Sequence, residues 1–342
     1  MLRATANHER TDEPAIRAVD DILAEAIECG ASDLHVQPNR GNGSVRIRVD
    51  GKLQCSGELP AELLARVTSR IKLLAGMDIS DRRAPQDGRF DVLHHGHRID
   101  LRVSSLPTID GERLAIRILD RNGAGRSLAE LGMTADLEGR FREILGSSSG
   151  FVIVCGATGS GKTTTLYASL RERNAVTEHI CSVEDPVELR TAGVVQVQVN
   201  VRAGLTFPVV LRAFLRQDPD VLVVGEMRDA ETADVAISAA LCGRLVLTTL
   251  HATNALVAFE RLRELGVGAR PLASAVSAVL AQRLVSRSAA TGSGRARTAR
   301  FELAIVSEEL RYAIQAEAPP KTLRDIASRN GYRPMLSDEG AA

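Results

Sequence analysis

Residues 151–170 read FVIVCGATGSGKTTTLYASL. Phe151 to Cys155 form a short apolar run of the kind shown by a strand buried on both faces. Gly156, Ala157, Thr158, Gly159, Ser160, Gly161, Lys162 and Thr163 then fit the pattern GxxxxGK[ST], and helical spacing follows. Strand, glycine-rich loop and helix in that order give the pattern a physical meaning. Glycines let successive backbone N–H groups curl round a polyphosphate, and the helix N-terminus adds partial positive charge. Lys162 then reaches the β/γ oxygens and Thr163 can ligate Mg2+, so Gly156 through Thr164 are the expected binding segment for ATP and Mg2+. Only four of the 43 basic residues are lysines, so a lysine at this place is no by-product of composition.

Strand followed by helix recurs downstream of this loop. VLVVGE (221–226) precedes ETADVAISAALC (231–242), and LVLTTLH (245–251) precedes ALVAFERLREL (255–265). Such alternation predicts a mostly parallel, doubly wound α/β sheet. Sheets of that class present ligand-binding groups at the C-terminal ends of their strands. Glu226 ends the first of these strands and can hold the Mg2+ shell through water; Glu184 ends a further one, HICSVE (179–184), and is the candidate general base for an attacking water. His251 ends a third and can sense a γ-phosphate.

Upstream the pattern changes. Apolar residues at 16, 19, 22, 23, 26 and 27 predict a helix that Gly30 stops. Val45, Ile47 and Val49 alternate with Arg46, Arg48 and Asp50, and the Asp50-Gly51 pair signals a hairpin. The expected division is a disordered N-terminus over 1–13, an α+β domain over 14–120, a linker RNGAGRS over 121–127, a nucleotide-binding domain over 128–270 and a helical C-terminal region over 271–342. Within the last, PLASAVSAVLAQRLVSR (271–287) reads as helix.

Composition excludes several classes. With 342 residues, 44% hydrophobic and 25% charged, the chain has the usage of a globular protein rather than a disordered or fibrous one. Basic and acidic groups balance at 43 each, and aromatics are 3% with no Trp, which argues against nucleic acid as the ligand. The five cysteines include no CxxC pair, so neither a disulfide framework nor zinc is expected. No leader-type apolar stretch opens the chain and no run of about 18 apolar residues occurs, so the expected location is cytoplasmic.

From about residue 15 to 340 the chain resembles the secretion ATPase family of type II secretion and type IV pilus systems. The resemblance is carried by SDLHVQP (32–38), RIKLLAGMDISDRRAPQDGRF (70–90), the phosphate loop, SVEDPVE (182–188), GLTFPVVLRAFLRQDPDVLVVGEMRD (204–229) and LTTLHATNA (247–255). It implies a RecA-like P-loop ATPase core, preceded by a smaller α+β domain and assembled as a homo-hexamer. Arg102 and Arg117 from the N-terminal domain, with Arg212 and Arg216 from LRAFLRQDPD, would then reach nucleotide. The implied partner is an inner-membrane platform protein that assembles pilin-like subunits, with the ATPase peripheral to the inner face of the cytoplasmic membrane. A pilus retraction ATPase and a RecA-like nucleic-acid translocase are the alternatives, the latter opposed by the neutral charge. A nucleotide-binding regulator without turnover is opposed by the intact Lys162, Thr163, Glu184 and Glu226. Three departures from the family stand out: residues 286–300 lack the zinc-binding cysteines of assembly members, the extra N-terminal docking domain is expected to be missing, and Arg244 stands where the family usually has His.

Overall fold

Apolar side chains at every second position make two-faced strands, and the N-terminal part of the protein is a sheet of them covered on one face. The computed structural model describes residues 13–49, 51–119, 126–173, 175–286 and 297–335. Two compact units divide the chain, Met1–Asn122 and Gly123–Ala342. Of the disordered terminus expected over 1–13, residues 1–12 lie outside the described residues while Glu13 already begins the first helix, and most of the linker expected over 121–127 also lies outside them.

The first unit runs α1 (Glu13–Glu28), β1 (Asp33–Pro38), β2 (Asn42–Val49), β3 (Lys52–Pro60), α2 (Ala61–Leu74), β4 (Gln86–His94), β5 (His97–Thr108) and β6 (Gly111–Leu119). Its antiparallel sheet has the order β3-β2-β1-β6-β5-β4. Leu34, Val36, Val45, Ile47, Leu101 and Ile116 point to one face and pack against Val19 and Leu23 of α1 and Val67 and Ile71 of α2. Under α2, the buried Lys72 ammonium donates to Glu112 at 2.6 Å and to the Asp81 carbonyl at 2.7 Å. On the opposite face, Arg48, Asp33, Arg117, Arg102 and Arg89 follow one another across β2, β1, β6, β5 and β4.

The second unit contains α3 (Ala135–Leu145), β7 (Gly150–Cys155), α4 (Lys162–Arg171), β8 (Ile180–Glu184), β9 (Val194–Gln198), α5 (Phe207–Phe214), β10 (Val221–Val224), α6 (Ala230–Leu241), β11 (Leu245–Leu250), α7 (Val257–Glu264), α8 (Ala269–Ala275), β12 (Val276–Ser286), β13 (Arg297–Ile305), α9 (Glu308–Gln315) and α10 (Pro320–Arg329). The sheet order is β13-β12-β7-β11-β10-β8-β9, with every neighbouring pair parallel except β12–β13. Helices cover both faces, giving two apolar clusters: α5, α6, α7 and α8 close one side, while α3 and α4 close the other. This is the doubly wound α/β arrangement that the strand-helix alternation implies.

One stretch differs from its sequence reading. Residues 276–286 were expected to be helical as part of the helical region over 271–342, but they form β12, and β13 follows. Among the described residues helix is confined there to α8, α9 and α10. The reason is burial on both faces: Val276, Val279 and Ala281 pack into one apolar cluster and Ala278 and Leu280 into the other, and all five are 0% exposed. A strand enclosed in that way shows no period of two, and its alanines add helix propensity.

Candidate functional site

Parallel pairing brings the carboxyl ends of β7, β11, β10 and β8 into one line. Leu250 pairs with Cys155, Val224 with Thr248, and Val224 with Val183. The loop after β7 therefore opens on the same edge as Glu184, Glu226 and His251, which follow or end the other three strands.

The loop is shaped by contacts from outside it. A Cβ on Gly156 would stand 2.4 Å from the Gln282 carbonyl oxygen and 2.5 Å from Ser160 Oγ, so only glycine fits there. Gly161 (φ +90°) turns the chain into α4, whose start has no side-chain cap and so leaves backbone N–H groups facing outward. Gln282, buried on β12, donates to the Ser160 carbonyl at 2.6 Å and accepts from Thr165 Oγ1 at 2.6 Å. Lys162 Nζ donates to the Gly156 and Ala157 carbonyls, both at 2.9 Å, and burial holds its pKa below the usual lysine value. Ser160 Oγ is buried with no hydrogen-bond partner among the described residues. Ala157, Thr158, Gly159 and Thr163 are exposed, and Thr164 is half-buried. A cradle of outward N–H groups, a lysine satisfied only by loop carbonyls and an exposed threonine at the helix start fits a polyphosphate with its Mg2+.

Glu226 follows β10 by two residues and pairs with Arg228, which also lies 3.9 Å from Asp185. His251 is exposed, and its pKa is lowered by desolvation first and by the Lys162 charge second, with Glu226 opposing. Those mutual influences place Lys162, Glu226, Arg228 and His251 in one electrostatic neighbourhood. Glu184 is in a different situation. It is 4% exposed and accepts hydrogen bonds from Tyr167 Oη, from Ser182 Oγ at 2.7 Å and from Gln196 Nε2 at 3.1 Å. Desolvation, followed by this hydrogen bond, raises the Tyr167 pKa. Two of these bonds end on Oε1 and one on Oε2, which leaves Oε2 with capacity to accept a further hydrogen bond from a water.

Arg212 pairs with Glu231 at 2.7 Å, and Arg216 donates to the Arg212 carbonyl at 2.9 Å; both are exposed. Arg102 and Arg117 belong to the first unit, as cross-strand neighbours lining a hollow of about 570 Å³ with Asp33, Asp87 and Arg89. Four arginines around a single aspartate in one register row repel one another, a cost that an anion would relieve. Arg244 precedes β11 and so sits at the opposite end of that strand from His251, donating to the Cys242 carbonyl at 2.7 Å.

Arg228, Gln282 and Tyr167 are the site residues that the sequence did not disclose. Arg228 carried a signal, since it follows the strand-end Glu226 by two residues. Gln282 lay inside the stretch read as helix. Tyr167 had none, being one apolar-looking position of a helix.

The family model described as "Type II/IV secretion system protein" matches residues 8–331. The type II secretion system protein HxcR of Pseudomonas aeruginosa is 42% identical over 95% of this chain and 73% of its own length. The type IV pilus assembly ATPase PilB of Acinetobacter baylyi is 44% identical over 81% of this chain and 48% of its own. Thus the chain spans between about half and three quarters of these relatives' length. Among solved structures, the pilus retraction motor PilT with bound ADP superposes with a TM-score of 0.63 at 26% identity, covering 91% of this chain and 88% of that one.

Proposed function

The chain belongs to the type II/IV secretion system protein family, and from that premise we propose that it is a ring-forming ATPase. In this reading it couples Mg-ATP hydrolysis to assembly of pilin-like subunits, through a platform protein at the inner face of the cytoplasmic membrane. The observation that carries the chemistry is the shared strand edge, where the phosphate loop, Lys162, Glu226 and His251 lie together. Among the described residues no helix is long and apolar enough to cross a membrane.

Each residue's part follows from its present contacts. Lys162 exchanges the Gly156 and Ala157 carbonyls for β- and γ-phosphate oxygens, a gain because charged oxygens accept more strongly than neutral ones. The N–H groups at the start of α4 hold the β-phosphate, and Gln282 keeps the loop in that shape. Thr163 would hold Mg2+, with Glu226 acting through water; the ion neutralises charge developing on the phosphates. Arg228 restrains Glu226, and His251, whose pKa is lowered first by desolvation, can hydrogen-bond at the γ-phosphate. Glu184 orients the attacking water through Oε2, which accepts only from Tyr167, while Ser182 and Gln196 hold Oε1. Arg102, Arg117, Arg212 and Arg216 complete the charge complement, an arginine in this role being worth about 10³ to 10⁵ in rate.

Assembly is preferred to retraction because HxcR and the pilus assembly ATPase PilB are 42% and 44% identical, against 26% for the retraction motor. The test is specific ATPase activity with Mg2+ across a wide protein concentration range, with Lys162→Ala and Glu226→Gln beside it. Activity per subunit should rise with concentration, saturate, and vanish in both variants. Tight ATP binding with no hydrolysis at any concentration would overturn the motor reading in favour of a regulator.

A further inference from the structure

Three of the seven histidines fall in one tetrapeptide, His94-His95-Gly96-His97, at the turn joining β4 to β5. His94 pairs with His97, leaving His95 (φ +48°) and Gly96 (φ +81°) as a two-residue loop with both residues left-handed. Such a loop favours Asn, Asp or Gly at its first place, and histidine is among the residues that also enter the left-handed region. Facing it is Glu28, the last residue of α1.

His94 is only 9% exposed, yet its Nε2 has no hydrogen-bond partner among the described residues. An unpaired polar atom in that position is costly unless something not made of protein satisfies it. The Glu28 carboxylate oxygen lies 3.8 Å away, too far for a hydrogen bond. The gap does suit an ion between the two groups, since tetrahedral bonds of about 2.0–2.2 Å hold their ligand atoms roughly 3.3 Å apart. One ligand atom from each of Glu28, His94 and His95 lies within 4.8 Å of the others, and the two rings stand 4.3 Å apart at 69°. Glu28, with 62% of its side chain exposed, is free to swing toward the rings.

We propose that Glu28, His94 and His95 bind a divalent transition-metal ion of the zinc class, tying the last turn of α1 to the β4–β5 turn. Two imidazoles and one carboxylate select such an ion over Mg2+ or Ca2+, which prefer all-oxygen sets, and a water takes the fourth position. The site is independent of the nucleotide site and of cysteine-based zinc binding, and no CxxC search would have revealed it.

The test uses the full chain, stripped of metal. Zn2+ is titrated against a chromophoric chelator, and Co2+ substitution is followed by visible absorption. His95→Gly suits the left-handed turn while removing one ligand, and Glu28→Gln removes another at the surface. Wild-type protein should bind one Zn2+ per chain, and each variant should weaken binding more than about tenfold, since groups that merely orient a metal ligand are already worth that much. Added Zn2+ should raise Tm in the wild type and leave it unchanged in His95→Gly, with metal-free circular dichroism the same in both. Equal Zn2+ affinity in wild type and variants would overturn the proposal. So would a Co2+ spectrum dominated by a thiolate band that survives both substitutions, which would assign the ion to one of the exposed cysteines Cys29, Cys55 and Cys242. Absence of Zn2+ binding would leave a water-bridged Glu28–His94 pair and equally refute the site.

Discussion

Gln282 holds the phosphate loop from outside it, and its two bonds link residues 117 and 122 positions apart. Replacing it by Leu strands the Ser160 carbonyl and the Thr165 hydroxyl without partners, at about 1–3 kcal/mol each. Gln282→Leu should therefore lower stability in a urea titration and weaken ATP binding by calorimetry; unchanged ATP affinity would show that the loop keeps its shape unaided. His251 offers a test by pH. Because its folded pKa lies below 6.5, the unfolded chain binds the proton first, so its contribution to stability is present above pH 6.5 and is lost as pH falls through the folded value. By NMR, the His251 titration should move up in Lys162→Ala, where a positive charge is removed, and further down in Glu226→Gln; shifts in the same direction in both would contradict the shared neighbourhood. At this scale the sequence was legible wherever the chemistry is local in the chain, as from Gly156 to Thr164. It was silent where a side chain acts across the sheet, as with Gln282 and Tyr167, because no spacing rule connects such partners.

Elements read well when each shows one polar and one apolar face. The helix around Val19 and Leu23 and the strand alternation at Val45, Ile47 and Val49 follow directly from that rule. β12 escaped it, since Val276, Val279 and Ala281 are buried in one apolar cluster and Ala278 and Leu280 in the cluster on the other side of the sheet, which removes the polar face on which the period of two depends. Tertiary packing also explains Lys72, a charged residue at a buried position of α2. Its side chain is 1% exposed, and Glu112 of β6, 9% exposed, accepts from it and from Ser105. Glu112→Leu leaves the ammonium buried with only the Asp81 carbonyl, so the first unit should lose about 3–5 kcal/mol. Adding Lys72→Met should recover most of that loss, because a well-packed apolar pair avoids the desolvation cost altogether. Denaturant midpoints of the single and double variants decide this; a double variant as unstable as Glu112→Leu alone would mean that the pair holds α2 on the sheet by geometry rather than by charge.

The two units have separate apolar cores, one built on α1, α2 and the antiparallel sheet, the others on the doubly wound sheet. A surface residue of the first unit belongs neither to that unit's apolar core nor to those of the second. Arg117 is such a residue, 64% exposed on its side chain and 3.5 Å from Asp33. If it reaches nucleotide, Arg117→Ala should lower kcat by about 10³ while Tm stays as in the wild type. The same residue then distinguishes a site completed within one subunit from one completed by a neighbour. Mixing Arg117→Ala subunits with Lys162→Ala subunits places an intact lysine and an intact arginine in different chains. Where the arginine is supplied by the neighbour, some sites in mixed rings regain both groups and activity returns, though neither variant is active alone. Where it is supplied by its own chain, every site lacks one group and the mixture stays inactive. Recovery that appears only at protein concentrations where activity per subunit saturates would tie hydrolysis to ring formation, because the arginine is then contributed by the contact that assembly creates.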